Sequence, residues 1–412
     1  MTQHSPDRNL PTSPDPLAAD QEQPATPETE KVAPSQGPEN LSQWQLIGRR
    51  FMRHKLAVFS LAMLAILYLF SFAAEIFAPY NPVERNLDFA YAPPQVPSWS
   101  FSDGLHTKAV LQETDPLSFE VSYRNNPERV APLGFLVRGE PYRFLGIETD
   151  WRIFGVNHRV LAREGLYDPA AEGTVREQTG MSFHFLGADK YGRDIYSRIL
   201  FGGRVSLSVG LLAIFISLIL GVIIGGISGY MGGAIDNFIQ RGIEIINSFP
   251  QLPLWLALAA IFPADWSVLK MYFAITVVLS LLGWTGLARV VRGKILSLRE
   301  EDYAMAARFL GAGHGRILFR HLAPGFTSHV IVVLTISVPA MILGETALSF
   351  LGLGLRPPIV SWGVMLQDSM QMQVVASYPW LLLPVLPIVL TVLCFNFLGD
   401  GLRDAADPYG EK

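Results

Sequence analysis

Four charged residues stand in or beside long apolar stretches of this chain: Arg241, Glu244, Glu345 and Asp400. Charge is costly inside a bilayer, so residues of this kind mark gates, ion paths or buried hydrogen-bond hubs. Arg241 and Glu244 have the i, i+3 spacing of an ion pair on one helix face. Arg241 and Asp400 fall at the ends of apolar runs, in the interface. Glu345 is the most isolated, and a structural hydrogen bond or a gate contact is the expected role for it, ahead of direct binding of a solute. Glu244, Asn247 and Glu345 are therefore the candidates for a translocation pathway or gate. Bond-making chemistry has no visible footing. His106, His158 and His184 are scattered among acids with no spacing of a triad or a metal cage. His314 and His321 lie seven apart with no third ligand nearby. Cys394 is the one cysteine, so no intrachain disulfide is possible, and within its apolar segment it reads as a small buried apolar group. No catalytic residue and no metal site are expected. No cofactor bound by this chain is expected either, and it lacks a Gly-x-x-x-x-Gly-Lys-Ser/Thr phosphate loop.

A different kind of pattern lies between two apolar segments, in the polar, basic stretch 292–324. Ser297 and Glu300 have capping-box spacing, and Glu300, Glu301 and Asp302 suit a helix N-terminus. Tyr303, Ala306, Ala307 and Leu310 then recur at i, i+3, i+4, i+7, one face of a helix. Two alanines on that face let another protein surface come close. Gly311 can end the helix in the left-handed conformation. A second short helix carries Arg316, Ile317, Leu318 and His321, and Pro324 is expected to stop it. The stretch reads as a docking element outside the bilayer.

The elements that must position these residues are membrane helices. The chain has 412 residues, a net charge of −4 and a mean hydropathy of +0.29. Its apolar content comes in blocks, as in a polytopic membrane protein, and its near-neutral charge gives no support for nucleic-acid binding. Residues 1–43 are rich in Pro, Ser, Gln and acids and are expected to be a disordered tail. Residues 44–78 read as an interfacial helix with Arg49, Arg50, Arg53 and Lys55, then a first span over Leu56–Ala74, about 28 Å at 1.5 Å per residue. Residues 79–184 form a β-rich insert: Phe119–Arg124 alternates like a strand, and Phe135–Phe144 reads as two strands around a Gly-Glu-Pro turn. Residues 185–412 hold five more spans, over 205–230, 239–262 (kinked near Pro250 and Pro253), 271–291, 328–351 and 380–398. Gly221, Gly225 and Gly229 give the second span a small-xxx-small packing face. The stretch 292–324 holds Arg292, Lys294, Arg299, Arg308, Arg316 and Arg320, whereas 352–379 holds only Arg356. The positive-inside rule then puts both termini in the cytoplasm and the insert outside. Arg193, Arg198 and Arg204 run against that rule at the end of a long loop, where it counts less.

Two resemblances follow. Ala306, Ala307, Gly311 and Pro324 match at the right spacing the Glu-Ala-Ala loop of ABC-transporter membrane subunits, which docks into a groove on the ATPase. Met305 stands in place of the Glu, and His321 and Ala323 in place of an Ile and a Leu. The run from Leu186 to Leu207, containing Asp189-Lys190-Tyr191-Gly192-Arg193-Asp194, resembles the signature of the dipeptide/oligopeptide permease family in its second, C-type membrane subunit. Gly229–Asp236, Glu345–Gly354, Pro357-Pro358 with Ser361-Trp362-Gly363, and Gly399–Asp404 with Asp407-Pro408 match further family blocks in order. The similarity covers about 45–80 and 184–410 of the sequence. Residues 81–183 depart from the family's short loop, and Glu244 stands where many relatives have Asp. The resemblance implies an all-α polytopic protein of type I ABC importer fold in a bacterial inner membrane. It implies a second homologous permease subunit, two ABC ATPase subunits and a periplasmic solute-binding protein as partners. Glu301, Asp302, Tyr303, Ala306, Ala307, Gly311, Arg316 and Pro324 would carry the coupling.

A stand-alone secondary transporter or channel is the first rival. It predicts inverted repeats and polar residues along several spans, neither of which is clear here. A membrane-bound enzyme centred on 81–183 is the second.

Overall fold

The computed structural model describes residues 43–406, apart from 102–103, 115, 118–120, 145, 172 and 264. The tail expected over 1–43, save Gln43, and Phe119 and Glu120 of the expected first strand lie outside the described residues, as does the chain from 407 onward.

Helix α1 (Gln43–Arg53) carries the basic cluster, and α2 (Lys55–Phe72) follows after a break at His54. His54 Nδ1 accepts from the Ala57 backbone N–H at 3.1 Å, so the side chain caps α2. A single turn, α3 (Ala74–Phe77), leads into the insert. There β1 (Ser98–Ser100), β2 (Gly104–Thr114), β3 (Val121–Phe144) and β4 (Ile147–Val156) pair in sequence order, each antiparallel to the next. The long strand β3 pairs with β2 through Pro132 and with β4 from Leu133 onward. The hairpin expected around Gly-Glu-Pro is thus not formed. Residues 138–142 stay within β3 and absorb a register shift opposite Thr149–Trp151. Pro141 cannot donate to a ladder, and an irregularity is where a strand tolerates it. Two short helices, α4 (His158–Arg163) and α5 (Val175–Thr179), close the insert over a core that includes Ala131, Leu133, Val156, Leu161 and Phe183.

The membrane part starts at α6 (Ile195–Met231), capped by the Asp194 side chain, which accepts from Ser197 N–H at 2.7 Å. Next come α7 (Gly233–Asn247), α8 (Gln251–Ala259), α9 (Val268–Leu298), α10 (Asp302–Phe309), α11 (His314–Arg316) and α12 (Ala323–Phe350). The chain ends through α13 (Trp362–Gln367), α14 (Met372–Ser377) and α15 (Val385–Ala406). Among the described residues five helices are long and apolar enough to cross a membrane: Lys55–Phe72, Ile195–Met231, Val268–Leu298, His314–Phe350 and Pro379–Ala406. The span expected over 239–262 is not one helix. It breaks at Ser248–Pro250 into α7 and α8, because Pro250 offers no N–H and pushes Phe249 out of the helical region.

Helices α2, α6, α9, α12 and α15 share one core, in which Leu207, Ile275, Leu279, Ile342, Leu348 and Trp362 are buried. The glycine face of α6 packs on α9 as expected. A Cβ at Gly221, Gly225 or Gly229 would come within 2.9 Å of Leu287, 2.4 Å of the Ala288 carbonyl oxygen or 2.8 Å of the Arg292 carbonyl oxygen.

Candidate functional site

The stretch expected to dock is a loop between two long helices. Helix α9 continues to Leu298, so Ser297 lies inside it and forms no capping box with Glu300. The N-cap of α10 is Glu301, without a side-chain cap. At its other end α10 closes as a Schellman turn. Ala312 N–H donates to Ala307 O and Gly311 N–H to Arg308 O, both at 3.0 Å, with Gly311 at φ +78°. Ala304 and Ala307 are buried against Leu287, Val291, Ile295 and Leu322, so Ala307 faces the helix core and is not on an outward face. Tyr303, Ala306 and Leu310 stay exposed, as do Glu301, Asp302 and Arg316. Phe309 and Leu310 are each 87% exposed, and Met305 and Phe319 add to the same apolar surface. These side chains make an exposed apolar patch on an otherwise polar loop.

Pro324 does not stop the second helix. Residues 314–350 run on without a break, with a π-helical turn over Ile317–Leu322 and Pro324 in the first turn of α12. Pro324 has no N–H to give and its ring crowds the carbonyl one turn back; widening the turn before it accommodates both. His314 Nδ1 lies 3.0 Å from the Tyr230 hydroxyl, which fastens this second helix to the end of α6. His321 sits in the π turn, and no cluster of potential metal ligands occurs among the described residues.

Behind the loop, α6, α7 and α9 are fastened by charge. Asp236 on α7 accepts from Arg292 Nε and Nη2 on α9, both at 2.5 Å, a bidentate pair. Ser228 on α6 donates to the same carboxylate, and Gln240 donates to Ser228 at 3.0 Å. Arg299 Nη1 donates to Gly229 O at 3.0 Å. These bonds tie the end of α9, just ahead of the loop, to α6 and α7.

The pathway candidates separate. Arg241 and Glu244 form the expected i, i+3 pair at 2.7 Å, on an exposed face of α7. Asn247 Oδ1 accepts from Thr285 on α9 at 3.0 Å, just ahead of the break before α8. Glu345 on α12 has no solvent exposure. It accepts from Ser206 on α6 at 3.0 Å, from Ser349 one turn on at 2.8 Å and from Ser361, the N-cap of α13, at 2.8 Å. Ser206 in turn accepts from Trp362 N–H at 3.1 Å. Glu345 is a hub joining three elements.

A second charged knot precedes α6. Asp189 is 2% exposed and accepts from Tyr191 N–H, Arg193 N–H, Arg193 Nε and Arg198 Nη1. Lys190 and Arg193 reach Asp368 beyond α13 at 2.8 and 3.8 Å. Gly192 has φ +69°, and a Cβ there would sit 1.6 Å from Asn86 O, so only glycine fits.

Residues 217–409 match the family described as binding-protein-dependent transport system inner membrane component, and residues 42–94 match the N-terminal TM domain of oligopeptide transport permease C. The oligopeptide transport system permease protein of Haemophilus influenzae is 43% identical over 228 residues, covering 55% of this chain and 70% of that protein. The chain belongs to this family of transport permeases. The dipeptide transport system permease protein of Bacillus subtilis is 40% identical over 226 residues, 55% of this chain and 68% of its own. A glutathione transport system permease protein of Pectobacterium atrosepticum is 39% identical over 227 residues, 55% and 73% of the two chains. The crystal structure of an amino acid ABC transporter with histidines covers 50% of this chain and 94% of its own at 18% identity and a TM-score of 0.36, too distant to argue from.

The family match spans the docking loop, Asp236, Arg292 and Glu345 together. Sequence reading singled out the loop and Glu345 but gave no role to Asp236 and Arg292. They lie 56 residues apart, and neither shows a partner locally. Asp189 to Arg193 was noticed as a motif, without its partner Asp368, for the same reason.

Proposed function

We propose that this chain is the permease subunit of an ATP-driven ABC importer for peptides or similar small solutes. The observation that carries this reading is its identity with permeases that bear oligopeptide and dipeptide transport names, over about 70% of their length. In this reading the fold is that of a type I importer in a bacterial inner membrane. In the same reading α7 and α8 together make a sixth crossing beside the five long helices, with both termini in the cytoplasm and the β-rich insert in the periplasm; the excess of Lys and Arg in 292–324 supports that orientation. The partners are a second homologous permease, two ABC ATPases that carry ATP and Mg, and a periplasmic solute-binding protein. This chain makes and breaks no covalent bond.

The mechanism is alternating access. ATP closes the ATPase pair, which draws α10 with it through contacts at Glu301, Asp302, Tyr303, Ala306, Leu310 and Arg316. Gly311 fixes the turn behind that surface and Ala307 seats it on the core. The pull reaches α6 and α7 through Arg292–Asp236 and Arg299–Gly229. The bundle then opens outward to receive solute from the binding protein, and hydrolysis resets it. Glu244 and Asn247, beside the break between α7 and α8, line the gate, and Glu345 holds the outer ends of α6, α12 and α13 together. Reconstitution tests the reading. With its partners in proteoliposomes, the chain is expected to take up labelled peptide only when ATP and binding protein are both present. Uptake by the chain alone on an ion gradient would instead favour a secondary transporter.

A further inference from the structure

Within the insert lies a small cavity between β3, β4, α5 and the strap at Pro79-Tyr80. Its volume is about 30 Å³, room for about two water-sized occupants. Two guanidinium groups line it, from Arg152 on β4 and Arg176 on α5, and both residues are no more than 6% exposed. Arg176 lies 4.2 Å over the Tyr80 ring, and its Nη1 is 3.6 Å from Glu84, too long for a hydrogen bond. Arg176 Nε and Nη2 are buried and have no hydrogen-bond partner among the described residues. Buried guanidinium N–H groups almost always find an acceptor, since leaving them dry is costly. The wall opposite is cut away. Gly139 and Gly155 line the cavity, and a Cβ at Gly139 would come within 2.6 Å of Arg152 Nε. The third basic group on the wall is His158. Burial first, and the Arg152 charge second, push it down to about 4, so it is neutral at neutral pH and its ring adds no positive charge of its own. Glu84 is the acid facing Arg176, and it is partly exposed on the far side.

We propose that this cavity binds a small monovalent anion, of chloride to carboxylate-group size, held by Arg176 and Arg152. The bound anion supplies the acceptor that Arg176 Nε and Nη2 lack and ties α5 to β4 and to the strap that leads out of α3. Planar, weakly hydrated guanidinium groups suit such an anion better than lysine would. The cavity excludes anything larger than a few heavy atoms.

The test uses the full chain in detergent. Melting temperature is followed at constant ionic strength in chloride, formate or gluconate, and crystals are grown in bromide. Expected is a saturable rise in melting temperature with chloride, formate or both, none with gluconate, and loss of that rise in Arg176→Gln. An anomalous bromide peak within hydrogen-bond distance of Arg176 Nε or Nη2 in the wild type is expected too, and it does not depend on the variant folding. Formate acting alone would mark the site as one for carboxylate groups, and chloride acting alone as one for free halide. Equal melting in all three salts, with bromide only at surface lysines or nowhere, would overturn the proposal.

Discussion

Gly225 on α6 lies against the backbone of Ala288 on α9, so close that a Cβ on Gly225 would come within 2.4 Å of the Ala288 carbonyl oxygen and 2.8 Å of its Cα. Its neighbour Gly226 meets the ends of side chains instead, Leu318 Cδ2 at 3.1 Å and Ile295 Cδ1 at 3.9 Å. A side chain can turn away and a backbone cannot. Gly225→Ala is therefore expected to destabilise the detergent-solubilised chain by about 1–3 kcal/mol, and Gly226→Ala by distinctly less. Paired melting curves of the two variants check the order; equal losses would show that the α6–α9 contact is not as tight as drawn.

Glu345 gives a second test. In Glu345→Ala the hydroxyls of Ser206, Ser349 and Ser361 lose their shared acceptor in a site with no solvent. A loss on the order of 3 kcal/mol is expected. Glu345→Gln keeps one acceptor oxygen and the volume, and should lose far less. Should Glu345→Ala melt with the wild type while solute selectivity changes, the residue belongs to a binding site and not to a hub.

The junction of insert and membrane part predicts a pH dependence. His184 is fully buried, with Nδ1 3.2 Å from Asp194 Oδ1. Burial, and after the opposing pull of Asp194 the charge of Arg176, lower its pKa from the ordinary 6.5. The unfolded chain then binds a proton that the folded chain refuses, so stability is full above pH 6.5 and falls on acidification below it, by at most about 1.4 kcal/mol per pH unit. His184→Asn can still donate to Asp194 and cannot titrate. Melting temperature between pH 7.5 and 5.5 should fall more steeply for the wild type than for this variant. Parallel slopes would remove His184 from the explanation.

Some of this was legible in the sequence because its cause is local. Uncharged apolar runs mark α2 and the cores of α6, α9, α12 and α15; glycines four apart mark the α6 seam; Gly311 after a short amphipathic run marks the end of α10. What escaped depends on partners far along the chain. Helix α6 begins at Ile195, ten residues before its apolar run, because Arg198 is paired with Asp189 and Arg204 with Glu75 and the carbonyls of Ser71 and Phe72. Read alone, those arginines look like loop charges. Ala307 was assigned to the docking face from its period. Only the core formed by Ile295, Ile317 and Leu322 decides that it points inward. The prolines misled in both directions: Pro250 breaks a span that was expected merely to kink, whereas Pro324 lies within a continuous helical run, 314–350, that it was expected to interrupt.

The central claim is that the exposed surface of α10 docks an ATPase, and Gly311→Arg tests it most directly. Among the described residues nothing lies within 4 Å of a Cβ at Gly311, so the arginine meets no clash with them and costs about 1–2 kcal/mol for its left-handed backbone. The measurement is a mild-detergent pull-down of tagged wild type beside Gly311→Arg from native membranes. Wild type should bring down two ATP-binding subunits and a second permease, and the variant should keep the permease and lose the ATPases. If the chain comes down alone or as a homo-oligomer in both, the docking role and the importer reading both fail.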